Sequence, residues 1–227
     1  CQDREHQIWF ATWGGGVCSY DPESIPPINY TSEAIAQQAI PRIYSLSEDS
    51  SNKLWVSLNL DTDLIRVYDG DKVQNYDLPQ SQEVENICRL VYVDSQDRIW
   101  AGGNIGLFKY HNGIFKKSSI NPILNRSSIS TITEDSLGRL YFGYTTDNRS
   151  LGILRLEGKK TESLFNCQLS AQHNHYISAI VVKENGQVWF AVSSEGGRET
   201  EISLGSWQDH QNVSFYRDQL PNTNVQA

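Results

Sequence analysis

His173 and His175 stand one residue apart. On a strand that spacing puts two imidazoles on one face, where they could share a metal ion. On a loop they are a solvated pair, and that is the preferred reading. Asp61, Asp63, Asp69 and Asp71 suggest calcium at first sight. An EF-hand loop, however, needs Gly at its sixth position and Glu at its twelfth. Counted from Asp61, those places hold Arg66 and Lys72. No P-loop, H-E-x-x-H or G-x-S-x-G pattern occurs. Cys1, Cys18, Cys88 and Cys167 include no C-x-x-C pair, so neither a zinc ribbon nor a thioredoxin-type site is indicated. Cys88 lies in an apolar strand pattern and is expected as a small buried hydrophobe. Cys1 and Cys18 could be bridged only if their strands are adjacent, which spacing leaves open. The chain is expected to have no catalytic residue, no metal and no cofactor.

The elements that would carry any site repeat along the chain. Aromatics recur at Trp9, Trp55, Trp100, Tyr141 and Trp189, in steps of 46, 45, 41 and 48 residues by subtraction. Six positions earlier stand Asp3, Asp49, Asp94 and Asp135, with Lys183 in the fifth copy. One position earlier stand Ile8, Leu54, Ile99, Leu140 and Val188. A period in the forties with one strand–turn–strand signature per unit predicts propeller blades. The Asp would accept backbone N–H groups two residues on and so fix the turn. Gly138 and Gly186 supply positive φ there, and Asn52 tolerates it. Apolar residues flank the aromatic on both sides, so both faces of its strand must be covered. The aromatic would bury about 150–250 Å² between neighbouring sheets. A ligand-stacking role for these rings is the alternative, and their regular spacing argues for packing.

Composition agrees. The chain of 227 residues has room for one large β domain or two small ones. Only 38% of its residues are hydrophobic, yet it holds 6 Trp, 11 Tyr and 7 Phe, which suits many thin layers between sheets. The net charge is −8 and the Lys and Arg are scattered, so nucleic acid is not an expected partner. No apolar run approaches the length of a membrane span. Met is absent, position 1 included, and a piece of a longer chain is expected.

The expected fold is an all-β propeller of five four-stranded blades in one domain over residues 1–227. The units are about 1–40, 41–80, 81–122, 123–170 and 171–219, with 220–227 opening the next blade. Unit one lacks its opening strand. Residues 23–39 should form a decorated loop, with a helical turn capped by Ser32. Leu220-Pro221 repeats Leu78-Pro79, so the tail could supply the strand the head lacks and close a five-bladed ring. Otherwise the piece is an arc of a larger, seven-bladed ring, and an open arc with an unpaired edge would dimerise or aggregate.

In a propeller, the loops entering the innermost strands and those joining second and third strands share one end. There the sequence places Trp13, Asn104, Arg126, Arg149, His173, His175 and Arg198 as ligand-binding candidates. Asn59, Asp61, Asp147 and Glu195 lie in the same loops. Trp13 follows its strand outside the packing position and could stack on a sugar ring, or cover the neighbouring unit. Four sequons, at Asn29, Asn125, Asn148 and Asn212, are adequately explained by chance.

The motif Asp-x-x-Gly-x-Leu-Trp-(hydrophobic)-Gly-x-x-x-Gly-(hydrophobic) resembles the two-component regulator propeller repeat. Residues 94–110, 3–20 and 135–156 carry the likeness best, and Trp13-Gly14-Gly15-Gly16-Val17 is close to the family form. Lys183 in the turn, Tyr141 for Trp and the missing turn Gly in units one to three depart from it. The resemblance implies a periplasmic sensor region of a bacterial hybrid histidine kinase. It also implies a small-molecule or carbohydrate ligand, with neighbouring propeller and kinase domains of the parent chain as partners. A homodimer is a further expectation, and phosphotransfer would belong to other parts of the parent. Residues 49–78 are also similar to the seven-bladed streptogramin lyase repeat, which implies metal-assisted β-elimination with a His base. No paired His and Glu in corresponding units support that second family. A protein-interaction scaffold is the third reading.

Overall fold

The computed structural model describes residues 8–12, 16–20, 28–29, 42–60, 62–70, 72–79, 87–104, 106–147, 150–168, 174–195, 202–208 and 214–215. The protein is all-β, with blade-like antiparallel sheets of the propeller type. It divides into two compact units.

The first unit spans Cys1–Asn104 and Phe108–Lys117. It holds β1 (Ile8–Thr12), β2 (Gly16–Tyr20) and β3 (Ile28–Asn29) in a three-stranded sheet. Next come β4 (Arg42–Glu48), β5 (Leu54–Leu60), β6 (Thr62–Asp69) and β7 (Lys72–Asp77), hydrogen-bonded in chain order. A third sheet follows, of β8 (Cys88–Val93), β9 (Ile99–Gly103), β10 (Gly106–His111) and β11 (Ile114–Lys117). The unit boundary falls within β10, after Leu107.

The second unit, Ile105–Leu107 with Ser118–Ala227, contains two four-stranded sheets. One is β12 (Ser127–Glu134), β13 (Leu140–Thr146), β14 (Ser150–Glu157) and β15 (Lys160–Gln168). The other is β16 (Asn174–Val182), β17 (Val188–Glu195), β18 (Ile202–Trp207) and β19 (Ser214–Phe215).

Of the five four-stranded blades expected, four are seen complete among the described residues. The described residues form four four-stranded sheets and one of three strands. Among the described residues the three-stranded sheet has no strand ahead of β1, in line with the expectation that unit one lacks its opening strand. The stretch expected as a decorated loop also yields a strand: Ile28 and Asn29 pair with Ser19 and Cys18. Tail residues 220–227 and the Ser32 cap lie outside the described residues, as does a Cys1–Cys18 bridge. Cys88 is buried, as its strand pattern predicted, and neither it nor Cys167 is in a disulfide.

The repeated turn is built the same way in every described copy. Its first residue accepts the N–H of the fourth: Asn52 to Asp49 at 3.1 Å, Asp97 to Asp94 at 2.8 Å, Gly138 to Asp135 at 3.0 Å and Gly186 to Lys183 at 2.8 Å. The fourth residue takes positive φ in each copy, at 61°, 60°, 75° and 81°. That is why Gly or a short polar residue stands there. The carboxylate does more than hold the turn. One oxygen of Asp94 accepts the N–H groups of Gln96 and Arg98, at 3.0 and 2.9 Å. The other accepts Arg98 Nε at 2.6 Å and the indole N–H of Trp100 at 2.8 Å. Asp49 likewise accepts the Trp55 indole N–H at 2.8 Å, and Asp135 the Tyr141 hydroxyl at 2.9 Å. These three repeats thus tie the turn to its own core aromatic, so the ring can be buried without orphaning its polar hydrogen. In the fifth copy Lys183 has no acceptor to offer; its ammonium lies 5.1 Å from the Trp189 ring centroid instead, a cation–π contact.

The rings fill the spaces between sheets. Trp55, Trp100 and Tyr141 are buried, and Trp9 and Trp189 half-buried. Trp9 packs on Leu54, Val56 and Leu58 of the next sheet. Trp55 stacks on Tyr76 at 5.6 Å and meets Tyr110 of the following sheet edge-on at 5.0 Å. Burial there, aided by a hydrogen bond to the Tyr76 oxygen, pushes the Tyr110 phenol up to about 12. In the second unit Tyr141 joins Ile177, Ile180 and Val188 of the adjacent sheet, and Phe165 faces Phe190 at 4.9 Å. The packing role expected of the aromatics is what the molecule uses them for.

Candidate functional site

Within each sheet the start of the first strand lies at the same end as the connection between the second and third strands, which is β5–β6 or β9–β10 in the first unit and β13–β14 in the second. In the first unit this end is tied shut at Asn104. Its side-chain oxygen accepts the Ile87 N–H at 2.7 Å, and its own N–H reaches the Ile87 carbonyl at 3.2 Å. These bonds extend the β8–β9 ladder by one rung. A Cβ on neighbouring Gly103 would lie 1.7 Å from the Ile87 oxygen, so only glycine permits the approach. Asn104 therefore holds the loop, which is a positioning role at the candidate end.

In the second unit three of the expected loop residues come together. Asn121 to Arg126 wind through successive turn bonds, with Asn121 Oδ1 accepting the Ile123 N–H at 2.9 Å. Leu124 is fully buried and anchors the turn. The turn delivers Arg126 exposed, immediately before β12. Ser127 is buried and donates to the Ile123 carbonyl at 2.6 Å, which fixes the entry. Ser127 pairs with Thr146, so exposed Asp147 lies level with Arg126 across the strand pair. Thr145 then donates to the His175 carbonyl at 3.0 Å, lacing the neighbouring sheet on and bringing half-buried His175 to the same end. The arrangement offers a guanidinium, an imidazole and a carboxylate around a strand end. It can hydrogen-bond a polar ligand. It has no nucleophile–base pair, and no cluster of three or more His, Cys, Asp or Glu able to hold a metal exists among the described residues. Trp13, Arg149, His173 and Arg198 lie outside the described residues, as does Asp61.

A second feature of the first strands escaped the sequence reading. β4, β8, β12 and β16 are all sheet edges, and each slips register by one residue: between Ile43 and Ser45, Cys88 and Leu90, Ile129 and Thr131, and Ile177 and Ala179. The bulged residues are Tyr44, Arg89, Ser130 and Ser178, each eleven positions before the repeat aromatic. That constant offset is the signal that could have found them. β-bulges re-aim side chains and are over-represented next to functional sites.

No family model matches the sequence, and no curated protein matches it. Solved structures do. The chain superposes on the extracellular domain of the B. thetaiotaomicron protein described as hybrid two-component system BT3049, with a TM-score of 0.62 and 18% identity. The match covers 96% of this chain and 33% of that one. The extracellular domain of BT4673, from the same organism and described as a one-component system, gives a TM-score of 0.59 at 16% identity. There 94% of this chain and 34% of that one are covered. A PQQ-bound aldose sugar dehydrogenase from Streptomyces coelicolor also gives 0.59, at 9% identity, over 94% of this chain and 79% of that one. At these identities the likeness is one of fold. The chain spans about one third of the two extracellular domains it matches.

Proposed function

We propose that the chain is part of an extracytoplasmic ligand-sensing propeller of a two-component signalling protein, and that its ring is completed to seven blades by the rest of the parent. The observation that carries this reading is the likeness, over nearly the whole chain, to extracellular domains described as belonging to one- and two-component systems. Arg126 and His175, which the second unit brings to one strand-entry end, would border a polar small molecule or carbohydrate. Location is then periplasmic. The partners are neighbouring propeller and kinase domains of the parent, with homodimerisation available to an open arc. Binding itself would be stoichiometric, and the kinase chemistry would belong to other domains. The test is a thermal-shift screen against a saccharide library, followed by Arg126→Gln with His175→Gln. A saturable shift lost in the double variant is expected. A protein captured in place of any small molecule would move the reading to a scaffold.

An enzymatic reading has one observation in its favour, the similarity to a sugar dehydrogenase. It predicts turnover of a saccharide that the sensor reading does not. A streptogramin-lyase-like elimination would require His173 and His175, and loss of such an activity on mutating both would establish it.

A further inference from the structure

Two phenols meet within the first unit. Tyr76 lies on β7, the outer strand of its sheet, and Tyr110 on β10 of the next sheet. The Tyr110 hydroxyl donates to the Tyr76 hydroxyl at 3.2 Å, and the Tyr76 hydroxyl donates to Gln74 Oε1 at 2.8 Å. The two rings stand edge to face, with centroids 5.3 Å apart. Trp55 and Phe115 hold them in place. Trp55 lies 5.6 Å from Tyr76 and 5.0 Å from Tyr110, and Phe115 lies 6.3 and 5.3 Å away. Both tyrosines are half-buried, and the other residues of β7 are exposed, so the pair is fixed by packing yet reachable from solvent. Tyr141 and Tyr144 are placed differently. Both are fully buried, and their hydroxyls meet Asp135 at 2.9 Å and Asn166 Nδ2 at 3.5 Å.

Packing needs only the rings, as Phe115 shows in the same cluster. Two hydroxyls bonded to each other add a chemistry of their own. Burial, with the bond to Tyr76, pushes the Tyr110 phenol up to about 12, so it is neutral at ordinary pH and its electron leaves with its proton. The unpaired spin that results is shared between the oxygen and the two ortho carbons beside the C–O bond. Those carbons flank the hydrogen bond between the rings. Two radicals formed here are already partners, because the fold holds them together and no encounter is needed. Coupling breaks one ortho C–H bond on each ring and forms one C–C bond between them. Two protons and two electrons leave. One hydrogen peroxide takes them up and becomes two waters, with a haem peroxidase carrying the electrons.

We infer that Tyr76 and Tyr110 are an oxidative cross-linking site, joined as dityrosine within one chain by hydrogen peroxide and a peroxidase. The bond ties the outer strand of one sheet to the neighbouring sheet. It closes a separation of 34 residues and restricts the unfolded chain as a disulfide does. The test treats the dilute chain with a haem peroxidase and hydrogen peroxide, isolates the monomer by size exclusion and digests it with trypsin. Residues 73–89 and 110–116 are the fragments expected, each with a single tyrosine. They should appear as one linked pair, two hydrogens lighter than their sum, fluorescing as dityrosine and surviving thiol reduction. Tyr76→Phe and Tyr110→Phe keep the rings, so both should fold, as circular dichroism will check, and each should lose the linked pair altogether. The treated wild type should unfold at a higher urea midpoint than the untreated protein, with no such rise in the treated Phe variants. Dityrosine found only between chains, a linked pair that persists in Tyr76→Phe, or oxygen added at Trp55 with both tyrosines unchanged overturns the inference.

Discussion

Replacing Asp94 by Ala should be among the most damaging single changes in the protein. Asp94 is 4% accessible, and its carboxylate accepts four hydrogen bonds, from the N–H groups of Gln96 and Arg98, from Arg98 Nε and from the Trp100 indole. Bonds to a charged acceptor are each worth about 1.5–3 kcal/mol, but they do not add. Arg98 keeps 23% of its side chain accessible, so water can take up part of what it loses. The indole N–H cannot be rescued that way, because Trp100 is 1% accessible and its orphaned donor stays buried. Loss of the acceptor, the turn bonds and the ion pair together should cost about 3–5 kcal/mol, comparable with breaking a buried charge pair. Equilibrium urea unfolding followed by tryptophan fluorescence reads this as a lower midpoint at unchanged slope. Asp94→Asn, which keeps one acceptor oxygen, should fall between wild type and Ala. A loss below about 1 kcal/mol in the Ala variant would reduce the carboxylate to an ordinary exposed turn cap and refute the linkage of turn to core aromatic.

The same logic gives the opposite sign in the fifth repeat. Lys183→Asp should stabilise the protein by about 1 kcal/mol, since an indole–carboxylate bond outweighs the cation–π contact it replaces; chemical denaturation will show a raised midpoint. Gly205→Ala should destabilise by about 1–3 kcal/mol in the same assay. Its Cβ would fall 2.4–2.9 Å from three ring carbons of Phe190, which is itself fixed against Phe165. Burial alone would raise the pKa of Asp135, but the Arg139 backbone N–H and guanidinium, the Tyr141 hydroxyl and the Leu137 N–H outweigh it and hold the carboxyl below its ordinary value. Its contribution is therefore complete above about pH 4 and lost as pH falls through the depressed value. Asp135→Asn should lower stability at neutral pH and flatten the acid limb of a stability–pH profile.

Much of the architecture is legible in the spacing. Asp49, Asp94 and Asp135 with their aromatics mark their turns and the second strands that follow. What could not be read depends on backbone geometry. Pro26-Pro27 and the polar run after them gave β3 no alternating pattern, and a two-residue strand carries too little signal to show one. The second oxygen of each Asp was invisible because a six-residue offset says nothing about which atom meets an indole until turn and strand are folded together. A one-residue slip leaves an apolar pattern almost intact, so the bulges at Tyr44 and Arg89 were hidden. At the strand-entry end, loop membership identified Arg126 and His175 as neighbours of one end, while Asn104 proved to spend its side-chain oxygen on holding the loop.

The repeated aromatics serve as packing, and ligand is proposed to meet the entry end of the second unit at Arg126 and His175. Two-dimensional ¹H–¹⁵N spectra during titration with a saccharide that gives a thermal shift test this directly, because indole and backbone signals are read at once. Shifts at Arg126 and His175, with the Trp55 and Trp100 indole resonances unmoved, are the predicted result. Large shifts of those two indoles, with Arg126 and His175 silent, would contradict it.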